Sequence, residues 1–368
     1  MKNKEITWAK ELKEPVLNYL NSLEKEKYKY FPAEEGLTKY GKNLNLGFSC
    51  FSLKINYILN QTENFDNDHI EGWKKYINSY QKEKYINFNN FFVDPYIDEF
   101  YNQKSLENYL KELSKKILNI MPNYNFEYQK IKLAKAVNAE TKQAISTLYQ
   151  LGIKNEKLIS NNYSSDEALE NYLNSLDWAK PWNAGAQFAS FCVYSKTQNF
   201  ENESFLVNYI TNLANSETGS YFTSTPKTNR EIINGAMKVI SGLDWLGEEI
   251  HHPKKLIDFC LFNTPVLEGC DIVDFVYVLY MCSNQTEYKK KEINNLMLNY
   301  LSKIKDLYFE SKGGFSYFKN SSQTHYYGVP IIDGRNQPDI HGTMLLIWAI
   351  AMILKNNEID VNWKIIKP

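Results

Sequence analysis

Two kinds of helix-length stretch alternate along this chain, and that alternation restricts its fold more than any other feature. One kind is amphipathic. Residues 5–29 carry Ile6, Leu12, Val16, Leu17, Leu20 and Leu23 at roughly helical spacing, and residues 104–120 carry Leu106, Leu110, Leu113 and Ile117. The other kind is apolar on most faces: residues 45–59, 182–194, 234–246, 271–281 and the end of 312–354. An amphipathic helix covers a core with one face, whereas a helix apolar all round must be surrounded. The pattern therefore predicts pairs, an outer amphipathic helix and then an inner apolar one. Residues 71–81, 138–152, 164–176, 205–214, 253–262 and 287–308 supply further helices; Asn138 is expected to cap the 138–152 helix and Gly152 to end it. By periodicity alone the run 271–281 would also suit a buried strand, but its neighbours are helical and no hairpin signals flank it.

The joins repeat as well. Residues 76–95, 209–222 and 301–318 each carry an amphipathic stretch into a turn rich in glycine or aromatic residues. Their lengths are too irregular for a HEAT or TPR array. About a dozen paired helices with no Pro/Ser-rich linker predict one all-α domain over residues 1–368, an (α/α)6 toroid of inner and outer helices.

Composition limits what such a domain does. Hydrophobic residues make up 43% of the chain and aromatics 15%, enough for a sizeable core. Forty-two basic residues against 43 acidic ones leave a net charge of −1, so no overall field attracts nucleic acid or an anionic membrane. The five cysteines, Cys50, Cys192, Cys260, Cys270 and Cys282, are scattered and odd in number, which is not a disulfide framework. The first fifteen residues are charged throughout, and no apolar run reaches the length of about 20 residues that spans a bilayer. These features predict a cytoplasmic protein without a transmembrane segment.

Two helix starts concentrate the chemistry. Glu268-Gly269-Cys270-Asp271 opens one apolar helix, and Asp339-Ile340-His341 opens the most apolar one. A free cysteine is usually a small buried hydrophobe, the reading given to the other four. Cys270 differs because a helix N-terminus favours thiolate, while its acidic neighbours oppose it unless a cation is present. Glu268 and Cys270, two residues apart, can face one ion, and His341 is the natural third ligand, with Asp339 orienting its ring. Carboxylate, thiolate and imidazole leave a fourth position open, the pattern of a catalytic zinc.

Other candidates surround this set. In the loop 323–335, His325, Tyr326 and Tyr327 are placed for proton transfer, and Asp333 and Arg335 either grip a substrate or staple the loop to itself. Trp182 and Asn183, within 177–185, form either a sugar platform or ordinary packing. Asn234 opens a run of small residues that admits a ligand or a neighbouring helix. Lys238 is the odd charge on an apolar helix and would pair with an anion if it points inward; residues 140–143, with Lys142, repeat that feature more weakly. The catalytic candidates are thus Asp339, Tyr326 and Tyr327. The substrate-binding candidates are Arg335, Asp333, Trp182, Asn183, Lys238 and Asn234.

The two helix starts resemble the zinc half-sites of protein prenyltransferase β subunits. In that family Asp-Gly-Cys opens one inner helix and Asp-aromatic-His-Thr opens a later one. Here the matching residues are Glu268-Gly269-Cys270 and Asp339-Ile340-His341-Gly342-Thr343, with Gly313-Gly314-Phe315 between them. The likeness is specific over about residues 265–354 and architectural before that. It implies the (α/α)6 toroid of the terpenoid cyclase and prenyltransferase superfamily, with zinc on Glu268, Cys270 and His341. It also implies transferase or cyclase activity on a small-molecule, glycan or lipid substrate. The family places Arg and Lys just upstream to hold a diphosphate, and residues 262–267 carry no cation, so a non-diphosphate substrate is expected. The chain is also similar to bacterial prenyltransferase-like toroids associated with cell-surface polysaccharide genes. Two alternatives fit the same residues: a metal-free carbohydrate-active lyase, epimerase or hydrolase working through Tyr326 and His341, and a non-catalytic toroid that binds a glycan or lipid.

Overall fold

The computed structural model describes residues 2–86, 88–104, 106–121, 126–163, 165–265 and 268–368. Asn87, Ser105, Ser164, Val266 and Leu267, within stretches discussed above, lie outside the described residues. The first eight helices are α1 (Lys2–Lys10), α2 (Lys13–Ser22), α3 (Lys39–Asn43), α4 (Leu46–Ile58), α5 (Asn67–Asn78), α6 (Pro95–Asn102), α7 (Leu106–Leu118) and α8 (Gln129–Gln150). The rest are α9 (Asp166–Asn174), α10 (Pro181–Thr197), α11 (Glu203–Thr211), α12 (Asn229–Leu246), α13 (Pro253–Phe262), α14 (Gly269–Gln285), α15 (Lys290–Lys305) and α16 (Ile340–Asn356). The chain is predominantly helical, and the described strands are short antiparallel pairs. No helix among the described residues is long and apolar enough to cross a membrane.

Six helices contact one another in a cycle. α4 packs on α8, α8 on α10, α10 on α12, α12 on α14, α14 on α16, and α16 returns to α4. Five of them are the helices with apolar residues on most faces, the exception being α8 with its lysines and glutamines, and the apolar five are deeply buried: Ile347, Ile350 and Leu354 of α16 and Phe275, Val276 and Leu279 of α14 are inaccessible to solvent. The amphipathic helices pack outside them, α6 on α8, α11 on α10, α13 on α14, and α15 on α14 and α16. The tightest contact in the cycle is between α10 and α12. A Cβ on Gly235 would lie 2.6 Å from the Pro181 Cβ, so the small residues near Asn234 admit a neighbouring helix rather than a ligand.

The repeated joins are real structural units. Residues 76–95 contain the ladder of Gln81–Lys82 with Phe91–Phe92, residues 209–222 the bridge between Ala214 and Tyr221, and residues 301–318 the ladder of Tyr308–Phe309 with Gly314–Phe315. Two of them are clamped in the same way. The Thr141 hydroxyl on α8 accepts from the Phe92 amide at 3.0 Å and donates to the Phe92 carbonyl at 3.2 Å. Thr343 on α16 does the same to Phe315, at 3.0 and 3.3 Å.

The structure corrects two of the expected helices. Residues 5–29 form α1, α2 and a short antiparallel ladder of Glu24–Glu26 with Lys29–Tyr30. Pro15 explains the restart: it has no amide hydrogen to continue a helix, but fits in the first turn of a new one. The helix expected at residue 138 begins at Gln129, so Asn138 lies inside it. The Asn138 amide reaches Gln187 at 2.8 Å, and its side-chain oxygen accepts from the Tyr194 hydroxyl at 2.7 Å. Gly152 does follow the helix end, with φ +69°. Past α16 the chain returns over the C-terminal ends of α4, α8 and α12. The Lys364 amide donates to Ile58, the Gln150 side chain to Lys367, and the Trp245 indole to Pro368.

Candidate functional site

Each helix of the cycle sends at least one side chain into a single cavity of about 260 Å3. That is just below the usual size of a small-molecule site, roughly 300 Å3 and upward. Ile366 and Pro368 close part of it, and Tyr327 enters from the loop before α16. Cys270 and His341 both line this cavity, so the two helix starts singled out in the sequence do converge.

Tyr317 joins them. Gly269 has φ +52°, and a Cβ there would lie 2.2 Å from the Tyr317 ring; only glycine lets the phenol rest on the start of α14. The Gly269 amide donates to the Tyr317 carbonyl at 2.7 Å, and the Tyr317 hydroxyl donates to Cys270 Sγ at 3.0 Å. The same ring lies 5.3 Å, centroid to centroid, from His341, which stacks on Phe51 at 4.3 Å. Burial, then the charge of Asp274, pushes the Cys270 thiol up to about 11, so the helix N-terminus does not make it a thiolate.

His341 Nδ1 bonds the Gln323 side-chain oxygen at 2.9 Å. Since that oxygen only accepts, Nδ1 carries the hydrogen and Nε2 has a free lone pair. Burial, followed by the charges of Lys238 and Lys54, lowers the His341 pKa to about 3. The ring is expected to stay neutral between about pH 8 and about pH 5, where an ordinary imidazole titrates. Nitrogen–proton correlation spectra across that range check this, and a His341 midpoint above about pH 5 would refute it.

Asp339 does not orient the imidazole directly. One carboxylate oxygen accepts from the Gly342 amide at 2.8 Å, and the other from the Tyr317 and Gln323 amides at 2.8 and 3.0 Å. It therefore fixes the backbone of the two residues that touch Cys270 and His341. Tyr326 is also structural in placement: it is buried against Phe48 and Phe51, with its hydroxyl 3.5 Å from buried Glu140.

The expected three-ligand metal set is not assembled. Glu268 turns to the Lys319 amide, from which it accepts at 3.3 Å. Among the described residues no group of three or more His, Cys, Asp or Glu side chains stands close enough to hold a metal ion. Asp271 is held by Arg230 at 2.8 Å and by Asn234 at 2.7 Å, so Asn234 serves that pair rather than a ligand. The Arg230 guanidinium covers the Trp182 ring at 4.9 Å, which removes the sugar platform, and Asn183 is exposed to solvent. Arg335 pairs with Asp333 and Glu35, each at 3.0 Å, and staples an exposed loop. Trp182, Asn183, Asn234, Asp333 and Arg335 all lie outside the cavity lining.

Lys238 does point inward, and it is not alone. Lys54 of α4 and Lys142 of α8 line the same cavity. Burial is the main cause that lowers Lys54 to about 8 and Lys142 to about 7, and Lys238 and Lys54 add to the shift at Lys142. Asp274 is the acidic side chain among the lining residues, with Lys238 Nζ 3.8 Å from it. Both of its carboxylate oxygens are buried without a hydrogen-bond partner, and burial raises its pKa to about 6. Sequence reasoning missed Lys54 altogether. Its signal was a single cation in the otherwise apolar stretch 45–59.

No protein-family model, curated protein or solved structure matches the chain.

Proposed function

We propose that the protein is an (α/α)6-toroid enzyme of the prenyltransferase and terpenoid cyclase type. It acts as a transferase or cyclase on a small molecule, or on the small end of a glycan or lipid, held in the cavity. The observation that carries this reading is the convergence of a thiol and a neutral imidazole, Cys270 and His341, on a cavity to which all six cyclically packed helices contribute, with the Tyr317 phenol bonded to the thiol beside it. The closed order of helix contacts, the outer layer and the twice-repeated threonine clamp support the toroid.

In this reading His341 Nε2 accepts a hydrogen bond from a substrate hydroxyl and orients it, because the ring is held neutral and its other nitrogen is committed to Gln323. Tyr317 holds the Cys270 sulfur in place. Zinc, where bound, would be held by Cys270 and His341, and a third donor requires Glu268 to leave the Lys319 amide. It would supply Lewis acidity, drawing the thiol proton off and polarising a substrate thiol, hydroxyl or water.

Two measurements test the proposal. Protein incubated with a small-molecule extract is expected to deplete a compound, seen by mass spectrometry, that Cys270→Ala and His341→Ala variants spare. No depletion, or equal depletion by the variants, would favour a non-catalytic binding role. Elemental analysis of protein purified without chelator is expected to find zinc, and to lose it in Cys270→Ala. Metal-free protein with both residues intact would remove zinc from the proposal and leave the rest standing.

A further inference from the structure

We infer that the cavity takes a phosphate monoester bearing neutral hydroxyl groups; this rests on the cavity being the substrate site. Two unmet demands point to it. Lys54, Lys142 and Lys238 come from three different helices and share one acidic side chain, Asp274, leaving positive charge in excess. Lys54 spends one bond on the Ser146 hydroxyl at 3.1 Å, while the Lys142 ammonium donates no hydrogen bond among the described residues. A dianion would neutralise this excess. Asp274 makes the opposite demand: it is 1% exposed and neither of its oxygens receives a hydrogen bond. Buried carboxylates are normally bonded, so an orphan on a cavity wall wants a donor from whatever fills the cavity. A simple anion would serve the lysines alone, and a neutral polyol the aspartate alone. An ammonium on the ligand would restore the charge excess that its phosphate had cancelled. Hydroxyl groups on a phosphate ester meet both demands.

Titration calorimetry with glycerol 3-phosphate, n-propyl phosphate and glycerol tests the inference. The two esters share their charge and differ in hydroxyl groups. Glycerol 3-phosphate is expected to bind about tenfold more tightly than n-propyl phosphate, the scale of one charge-assisted hydrogen bond. Lys142→Met should weaken both esters by about tenfold, and Asp274→Asn should erase only the difference between them. Equal affinity for the two esters, no binding of either, or no effect of Lys142→Met would overturn the inference. Circular dichroism confirms folding, and Lys54→Met and Asp274→Ser replace any variant that fails. Ala139→Trp, which fills the cavity from α8, separates the two levels of the argument. If the esters bind that variant unchanged, the cavity is not the ligand site and both readings fall. If glycerol alone binds the parent protein and is lost in Ala139→Trp, the cavity reading survives and only its charge preference is wrong.

Discussion

Asp339→Ala is expected to cost about 3 kcal/mol of folding stability, measured by urea denaturation. The carboxylate is 1% exposed and takes three backbone amides, from Gly342, Tyr317 and Gln323. Loss of a helix N-cap alone costs about 1 kcal/mol. Each further buried amide left without an acceptor adds about 1–3 kcal/mol, reduced where water or a backbone shift replaces it. The loss should spread to the site, because the Tyr317 and Gln323 amides position the groups that touch Cys270 and His341. Asp339→Asn keeps one acceptor and should fall between the two. A change below about 1 kcal/mol for Asp339→Ala would show that the three amides find other partners.

Lys142→Met should act in the opposite direction, stabilising the protein by about 2 kcal/mol near pH 7. Burial and the neighbouring Lys238 and Lys54 lower Lys142 to about 7 in the folded chain, whereas an unfolded lysine titrates near about 10.4. Between these values the unfolded chain binds more protons, so stability rises with pH across that window. Below about pH 7 both states are protonated and the cost of the buried ammonium is fully present. The gap corresponds to about 4–5 kcal/mol, less what solvent at the cavity screens. Methionine keeps most of the stem without the charge. Its advantage should shrink when urea denaturation is repeated near about pH 9.5. A variant less stable than the parent at neutral pH, or an advantage independent of pH, would contradict this account. Greater stability together with loss of phosphate-ester binding would mark Lys142 as a residue kept for its ligand.

Much of the helical layer was legible, and for definite reasons. α14 and α16 have long apolar runs behind polar starts, so their starts and their burial follow from the sequence, although α14 runs on past residue 281 to Gln285. Cys270 and His341 stood out because they occupy those starts. Glu268 was not legible in the same way. Its partner is a backbone amide 51 residues on, and nothing local tells a helix-start carboxylate to turn toward it. Lys54 was hidden by a different effect, and Lys142 stood out only as a weaker copy of Lys238. The chain carries 42 basic residues, and a lone lysine acquires meaning only once the rotation of its helix is fixed by the neighbours. Asn138 misled because a good capping residue also pairs well with Gln187 and Tyr194 across a helix contact. Pro15 was a signal that the periodicity argument overran.

The contact between α16 and α4 sets an order of events during synthesis. His341 stacks on Phe51, whose partner in the chain is thus 290 residues away. At about 5–20 residues per second, α4 waits roughly 15 to 60 s after it is made before the helix that covers this flank exists. Its apolar side must meanwhile be shielded by α8 or by a chaperone. Pairings of such long range are also the slow ones, since the loop between them must close first. The wall of the cavity that Phe51 and Lys54 supply beside the imidazole forms only when this last seam shuts. A nascent or truncated chain can therefore be largely helical and still lack the assembled cavity.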